Sequence, residues 1–135
     1  MTDPPADPFR GVKPSPEDVF VEHARVVLSA RWGTALDQRV AALPGGVSQR
    51  FRLVSGNGRL VGEALWLADL ASPEHRSAAI SESAWVMAHV VNVDRRFLVL
   101  GEQRELVGRW LERHGPMLDG VELWFLEGDR LERLA

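Results

Sequence analysis

The run Leu60–Leu67, reading Leu-Val-Gly-Glu-Ala-Leu-Trp-Leu, constrains the fold of this chain more than any other segment. Val61, Leu65 and Leu67 fall on one set of alternating positions, and Leu60, Ala64 and Trp66 on the other. Side chains alternate across a strand, so a strand that is apolar on both faces has to be covered on both faces. That asks for a central place in a sheet flanked by helices. Immediately before the run, Ser55-Gly56-Asn57-Gly58 is a tight-turn signal, and before that Val47–Val54 carries Phe51 and Leu53 as apolar anchors. The pattern predicts a β-hairpin whose second arm lies inside the sheet. Glu63 does not suit such a strand, because a buried carboxylate has to be paired, neutralised or bound to a cation.

The rest of the chain can be placed around this strand. Residues 1–14 hold four prolines and few core-forming side chains, and read as a tail. Ser15-Pro16-Glu17-Asp18 supplies an N-cap, a proline at N1 and an acid at N3. Val19, His23, Val26, Val27 and Ala30 follow at helical spacing, predicting a helix to about Trp32 that frays onward through Leu36 and Val40. Ser72-Pro73-Glu74 opens a second helix to about Val90, with Ile80, Ala84, Trp85, Ala88 and Val91 as its stripe. Phe97–Leu100 is a short apolar strand, Gln103–His114 a third helix, and Val121–Leu126 and Arg130–Leu134 close the chain as strands. The order is α-β-β-α-β-α-β-β: a compact α/β or α+β domain over residues 15–135, built on a mixed sheet flanked by helices.

Composition narrows the function classes. The chain has 135 residues, enough for one core but not for two. It has no cysteine, which excludes disulfides, thiolate metal sites and a cysteine nucleophile. No apolar run approaches the roughly 20 residues of a membrane span, and the N-terminus has no secretion-signal pattern, so no membrane partner and a cytoplasmic location are expected. A net charge of −3 argues against a surface that coats nucleic acid, though not against one local patch.

The candidate site centres on Glu63. As a hard oxygen ligand it suits Mg²⁺; as a structural residue it would pair with Arg50 or Arg52 on the neighbouring arm. Glu22, on the first helix, is the second candidate acid, and Asn57, in the turn, is a candidate neutral ligand or simply a turn former. Arg95, Arg96, Arg104 and Arg109 form a modest basic region suited either to phosphate contact or to ordinary solvated charge. Trp66, Trp85, Trp110 and Trp124 fit apolar stripes and read as core or subunit interface.

An acid-bearing helix, a hairpin whose second arm carries Gly62-Glu63-Ala64-Leu65, a helix and a short strand resemble the PD-(D/E)XK, or restriction-endonuclease-like, nuclease superfamily. The resemblance covers roughly Glu17–Leu100. It implies a four-stranded mixed sheet flanked by helices, and Mg²⁺-dependent cleavage of DNA or RNA. Glu63 matches the acid of the second motif, but Leu65 stands where the motif lysine belongs. The preceding aspartate has only Asn57 or Ser55 in range, and Glu22 matches the helix acid of some members. The resemblance therefore implies a degenerate member that has lost catalysis, serving as a structural subunit or meeting a DNA or protein partner. Two alternatives stand beside it: an active Mg²⁺-dependent phosphodiesterase that uses Glu63 with a relocated Arg50 or Arg52, and a small α/β interaction protein unrelated to nucleases. The C-terminal strands offer an isologous edge for a homodimer.

Overall fold

Ser15 caps the first helix as its neighbours require. In the computed structural model, which describes residues 13–68, 70 and 72–135, the Ser15 hydroxyl accepts the Asp18 N–H at 3.1 Å and the Asp18 carboxylate accepts the Ser15 N–H at 3.3 Å. This reciprocal box starts α1 (Pro16–Trp32), which stops at Gly33 in the left-handed region, φ 64°. The tail expected over residues 1–14 lies outside the described residues apart from Lys13 and Pro14.

After Gly33 the chain departs from the expectation. Leu36–Ala42 is not frayed helix but a strand, β1. There follow β2 (Ser48–Ser55), β3 (Leu60–Trp66), α2 (Pro73–Ala88), β4 (Arg95–Gly101), α3 (Arg104–His114), β5 (Val121–Glu127) and β6 (Arg130–Arg133). The order thus holds one strand more than the sequence pattern suggested. The reason is that β1 is an edge strand, exposed from Asp37 to Val40, so only Leu36 at its start carries an apolar mark of burial.

Among the described residues, six strands form one mixed sheet in sequence order. β2 runs antiparallel to β1 and β3, the strands β3, β4 and β5 are mutually parallel, and β6 returns antiparallel to β5. The helices α2 and α3 are the crossovers that parallel neighbours need. They cover one face of the sheet; α1 covers the other. This is the expected α/β class.

Strand β3 lies inside the sheet with both faces covered. Val61 and Leu67 are buried in the layer under α2 and α3, with Leu65 packed against it; Ala64 is buried in the α1 layer, flanked by Leu60 and Trp66. A Cβ on Gly62 would sit 2.1 Å from a ring carbon of Phe97, so glycine is what lets the fully buried Phe97 lie across this strand. Two helical faces differ from expectation. In α1 the sheet takes Phe20, Ala24 and Leu28, leaving Val19 and Val26 more than half exposed. Phe20, Ala24 and Leu28, spaced four apart, lie on one helical stripe, and that stripe is the one the sheet buries. In α2 the buried set is Ile80, Ala84 and Met87, and Trp85 is 61% exposed instead of in the core.

Candidate functional site

The acid site is shaped by a defect in the sheet. The β1–β2 register pairs Asp37 with Val54 but Arg39 with Phe51, so Arg52 and Leu53 together face the single residue Gln38. This is a β-bulge, which turns the strand and re-aims side chains. Its effect is visible in the core: Phe51 lies in the α2–α3 layer, while Leu53, two residues on, lies in the α1 layer. Arg52 is thereby turned toward α1. On its other side β2 pairs with β3 at Val54↔Val61 and Leu53↔Gly62. Beyond Gly62 side chains take over from the backbone ladder.

Arg52 and Glu63 fill that opening. The Arg52 Nε–H donates to Glu63 Oε1 in a very short charge-assisted contact. Arg52 Nη2 donates to the Ala64 carbonyl at 2.6 Å, and Arg52 Nη1 to Glu17 Oε1 at 2.9 Å. The Glu63 carboxylate also accepts the backbone N–H groups of Arg52 at 3.4 Å and Ala64 at 3.3 Å. Side-chain exposure falls from 46% at Glu17 to 29% at Arg52 and 16% at Glu63, so the guanidinium bridges a half-open acid and a largely buried one. Burial alone would make Arg52 easier to deprotonate. The hydrogen bond and charge of Glu63, then those of Glu17, outweigh burial and hold its pKa above the ordinary arginine value.

Of the two structural partners open to Glu63, the fold selects Arg52; Arg50 is exposed. Its acidic companion is Glu17, not Glu22. Glu22 pairs with Arg25 three residues on, at 2.9 and 2.5 Å, and that hydrogen bond, opposed by burial and assisted by the Arg25 charge, lowers its pKa. Glu22, Asp18, Arg25, Asp37 and Arg52 line a cleft of about 300 Å³ between α1 and β1. Asn57 is a turn former: its Oδ1 accepts the Ser55 hydroxyl at 2.7 Å and the Arg59 N–H at 3.0 Å. Glu63, Glu22 and Asn57 thus have separate partners, and the structure does not assemble them. Among the described residues no three or more histidine, aspartate or glutamate side chains form a group able to hold a metal ion.

A resident Mg²⁺ does not fit this donor set. The oxygens that face one another, Glu17 Oε1, Glu63 Oε1 and the Ala64 carbonyl, already receive three nitrogens of one guanidinium. Leu65, where the resemblance would expect a lysine, packs against the α2–α3 layer and offers neither charge nor donor.

The four candidate phosphate-binding arginines do not form one patch. Arg95 makes a two-pronged pair with Glu122 at 2.8 and 2.6 Å and stacks over Trp32 at 4.1 Å, on the α1 side of the sheet. Arg96 donates to the Val90 carbonyl at 2.9 and 2.7 Å, on the opposite side. Arg104 pairs with Glu132 and lies over Phe125 at 5.1 Å, whereas Arg109 is exposed on α3 beside a separate cleft.

A roomier cleft of about 530 Å³ opens at the carboxyl ends of β3, β4 and β5, between Phe20, Trp66 and Phe125. Glu63 is not part of it, although the buried Trp66 indole N–H nearby has no hydrogen-bond partner. Among the described residues no helix is long and apolar enough to cross a membrane. No family model, curated protein or solved structure matches this chain.

Proposed function

We propose that this chain is a catalytically degenerate nuclease-like domain, retained as a structural, partner-binding or nucleic-acid-associated subunit. The observation that carries the reading is the state of Glu63. A phosphodiesterase would use this acid to hold a hard cation beside a lysine; here Arg52 takes the acid and Leu65 replaces the lysine. The segment that carries the resemblance, Glu17–Leu100, supports the ancestry. It folds as α1, four strands, and α2 between the last two, a mixed four-stranded sheet with a helix on each face. The strand β1, not apparent from its residues, supplies the fourth strand that the resemblance requires.

The active alternative gains nothing from Arg52 reaching Glu63. An arginine whose pKa is raised stays protonated and cannot take a proton from an attacking water. Nor can a carboxylate oxygen that receives Arg52 Nε–H also hold a metal at the same lone pair. The test is to incubate the purified chain and its Glu63→Gln variant with supercoiled and single-stranded DNA in Mg²⁺ or Mn²⁺. Neither should cut. Cutting by the wild type that disappears in Glu63→Gln would overturn the proposal.

A further inference from the structure

The edge strand β1 has its two ends tied down and its middle open. At its start the Leu36 N–H donates to the Ser29 hydroxyl at 3.1 Å, and at its end the Ala42 carbonyl accepts the Val91 N–H at 3.1 Å. Backbone groups of an edge strand turn alternately toward the neighbouring strand and away from it. The Leu43 N–H bonds inward to the Val47 carbonyl, so Ala42 faces outward, and Val40 and Gln38 at alternate positions face outward with it. Among the described residues nothing bonds to the outward N–H and C=O groups of Gln38 and Val40. Bulges often twist an edge away from partners, but here the extra residue lies in β2 and β1 runs without interruption. Its side chains are exposed from Asp37 to Val40, the last at 57%.

We propose that β1 pairs antiparallel with β1 of a second copy of this chain, about a two-fold axis at Gln38, joining two six-stranded sheets into one. The order of charges along the strand selects both the partner and the register. An isologous pair centred on Gln38 sets Gln38 against Gln38 of the second copy, Asp37 against its Arg39, and Leu36 against its Val40. Each acid meets a base, and symmetry makes the contact twice. Moving the axis one residue either way sets Asp37 or Arg39 against its own copy, like charge on like. Within one copy Asp37 and Arg39 touch only loosely, at 3.9 Å with side chains 55% and 46% exposed, so exchanging that contact for one across the seam costs little. Backbone bonds form where groups are free. The two Gln38 residues exchange N–H and C=O, and the Val40 N–H meets the Leu36 carbonyl of the second copy, leaving each Leu36 N–H with Ser29. Asp37 also lines the cleft between α1 and β1, so the second copy brings its Arg39 to a cleft that already holds Asp18 and Glu22. The C-terminal edge β6 suits pairing less well: it has four residues against seven, and its Glu132 is taken by Arg104. None of this rests on the nuclease-like reading.

The test is sedimentation velocity of the full chain from about 5 to about 500 µM, beside Arg39→Asp, the swapped double variant Asp37→Arg/Arg39→Asp, and Val40→Pro. Wild type should pass reversibly from monomer to dimer with a Kd on the order of 10⁻⁵–10⁻⁴ M, as suits a small and mostly polar interface. Arg39→Asp sets acid against acid and should weaken the dimer at least about tenfold. The double variant restores opposite pairs in reverse order and should return to within about threefold of wild type. Val40→Pro removes an outward N–H without touching the ladder to β2, and should be a folded monomer. Residues directly opposite in such a pair lie about 5.5 Å apart, a span that a disulfide bridges. In this cysteine-free chain, Gln38→Cys should therefore cross-link to itself under mild oxidation much faster than the exposed Gln49→Cys. A wild type still monomeric at about 500 µM overturns the proposal, as does a dimer indifferent to Arg39→Asp or to Val40→Pro. Failure of the double variant to restore the dimer overturns it too, as does equal cross-linking at the two cysteine positions. The charge variants alter exposed side chains, and they decide the matter should Val40→Pro not fold. Failure of the pairing would leave the loss of catalysis untouched, whereas Glu63-dependent cleavage by wild type would refute that loss without bearing on assembly.

Discussion

Replacing Glu63 by leucine tests the Arg52–Glu63 lock through stability. The substitution removes the carboxylate that receives Arg52 Nε–H and the two backbone N–H groups. A hydrogen bond to a charged group contributes about 1.5–3 kcal/mol, and breaking a fully buried pair costs about 3–5 kcal/mol. Arg52 is 29% exposed and keeps Glu17 and the Ala64 carbonyl, so the upper range does not apply. The expected loss is about 2–3 kcal/mol, or a fall in Tm of roughly 6–12 °C for a chain of this size. Arg52→Met should cost about as much, because it strands Glu63 at 16% exposure while Glu17 can turn to water. The double variant should be far more stable than the sum implies, since two apolar side chains can replace a largely buried pair at little cost. Urea unfolding of the four proteins, analysed as a double-mutant cycle, should give a coupling of about 1.5–2.5 kcal/mol. Single losses below about 0.5 kcal/mol, or additivity within that margin, would show that the pair does not hold the hairpin together.

Further predictions concern the sheet and its flanks. Gly62→Ala places a methyl 2.1 Å from the buried Phe97 ring and should destabilise by about 1–3 kcal/mol; an unchanged Tm would mean that Phe97 has slack. Trp85→Ala should shift stability by less than about 0.5 kcal/mol, whereas Trp110→Ala should cost about 3–5 kcal/mol by emptying the core and losing the indole bond to Ser81 at 2.9 Å. Equal losses at the two positions would contradict the exposure of Trp85. The Arg95 hydrogen bond, opposed by burial and assisted by the Trp124 N–H, lowers the pKa of Glu122. Its stabilising effect is therefore present above the unfolded carboxylate pKa of about 4.3 and is lost as pH falls through the lower folded value. Glu122→Gln should be less stable than wild type at pH near 7, with the gap closing in acid; a gap independent of pH in urea titrations would refute this.

The sequence made β3 legible because its signal is doubled, apolar on both faces and bounded by a turn whose Asn57 behaves as its chemistry suggests. The starts of α1 and α2 were equally readable, since Ser15 and Ser72 cap through local hydrogen bonds. Strand β1 was not, because an edge strand exposed along most of its length has no two-residue apolar rhythm to find. That omission hid more than a strand. The bulge that turns Arg52 toward α1 exists only against β1, so the guanidinium bridge could not be built without it. Glu17 was obscured for a different reason: an acid in the first helical turn already has a sufficient explanation in the helix dipole. Glu22, one turn further along, looked freer and proved to be paired locally with Arg25. The face of α1 was misread because valines lie on one side and Phe20, Ala24 and Leu28 on another, and the sheet, absent from a local pattern, makes the choice.

The claim that Arg52 occupies Glu63 is tested most directly by nitrogen-resolved NMR of the arginine side chains, recorded with and without Mn²⁺. The account predicts a slowly exchanging Arg52 Nε–H signal, lost in Glu63→Gln and unbroadened by millimolar Mn²⁺. An Arg52 Nε–H that exchanges as fast as those of exposed arginines, with Mn²⁺ broadening the Glu63 and Ala64 amides, would contradict it and return Glu63 to the list of working metal ligands.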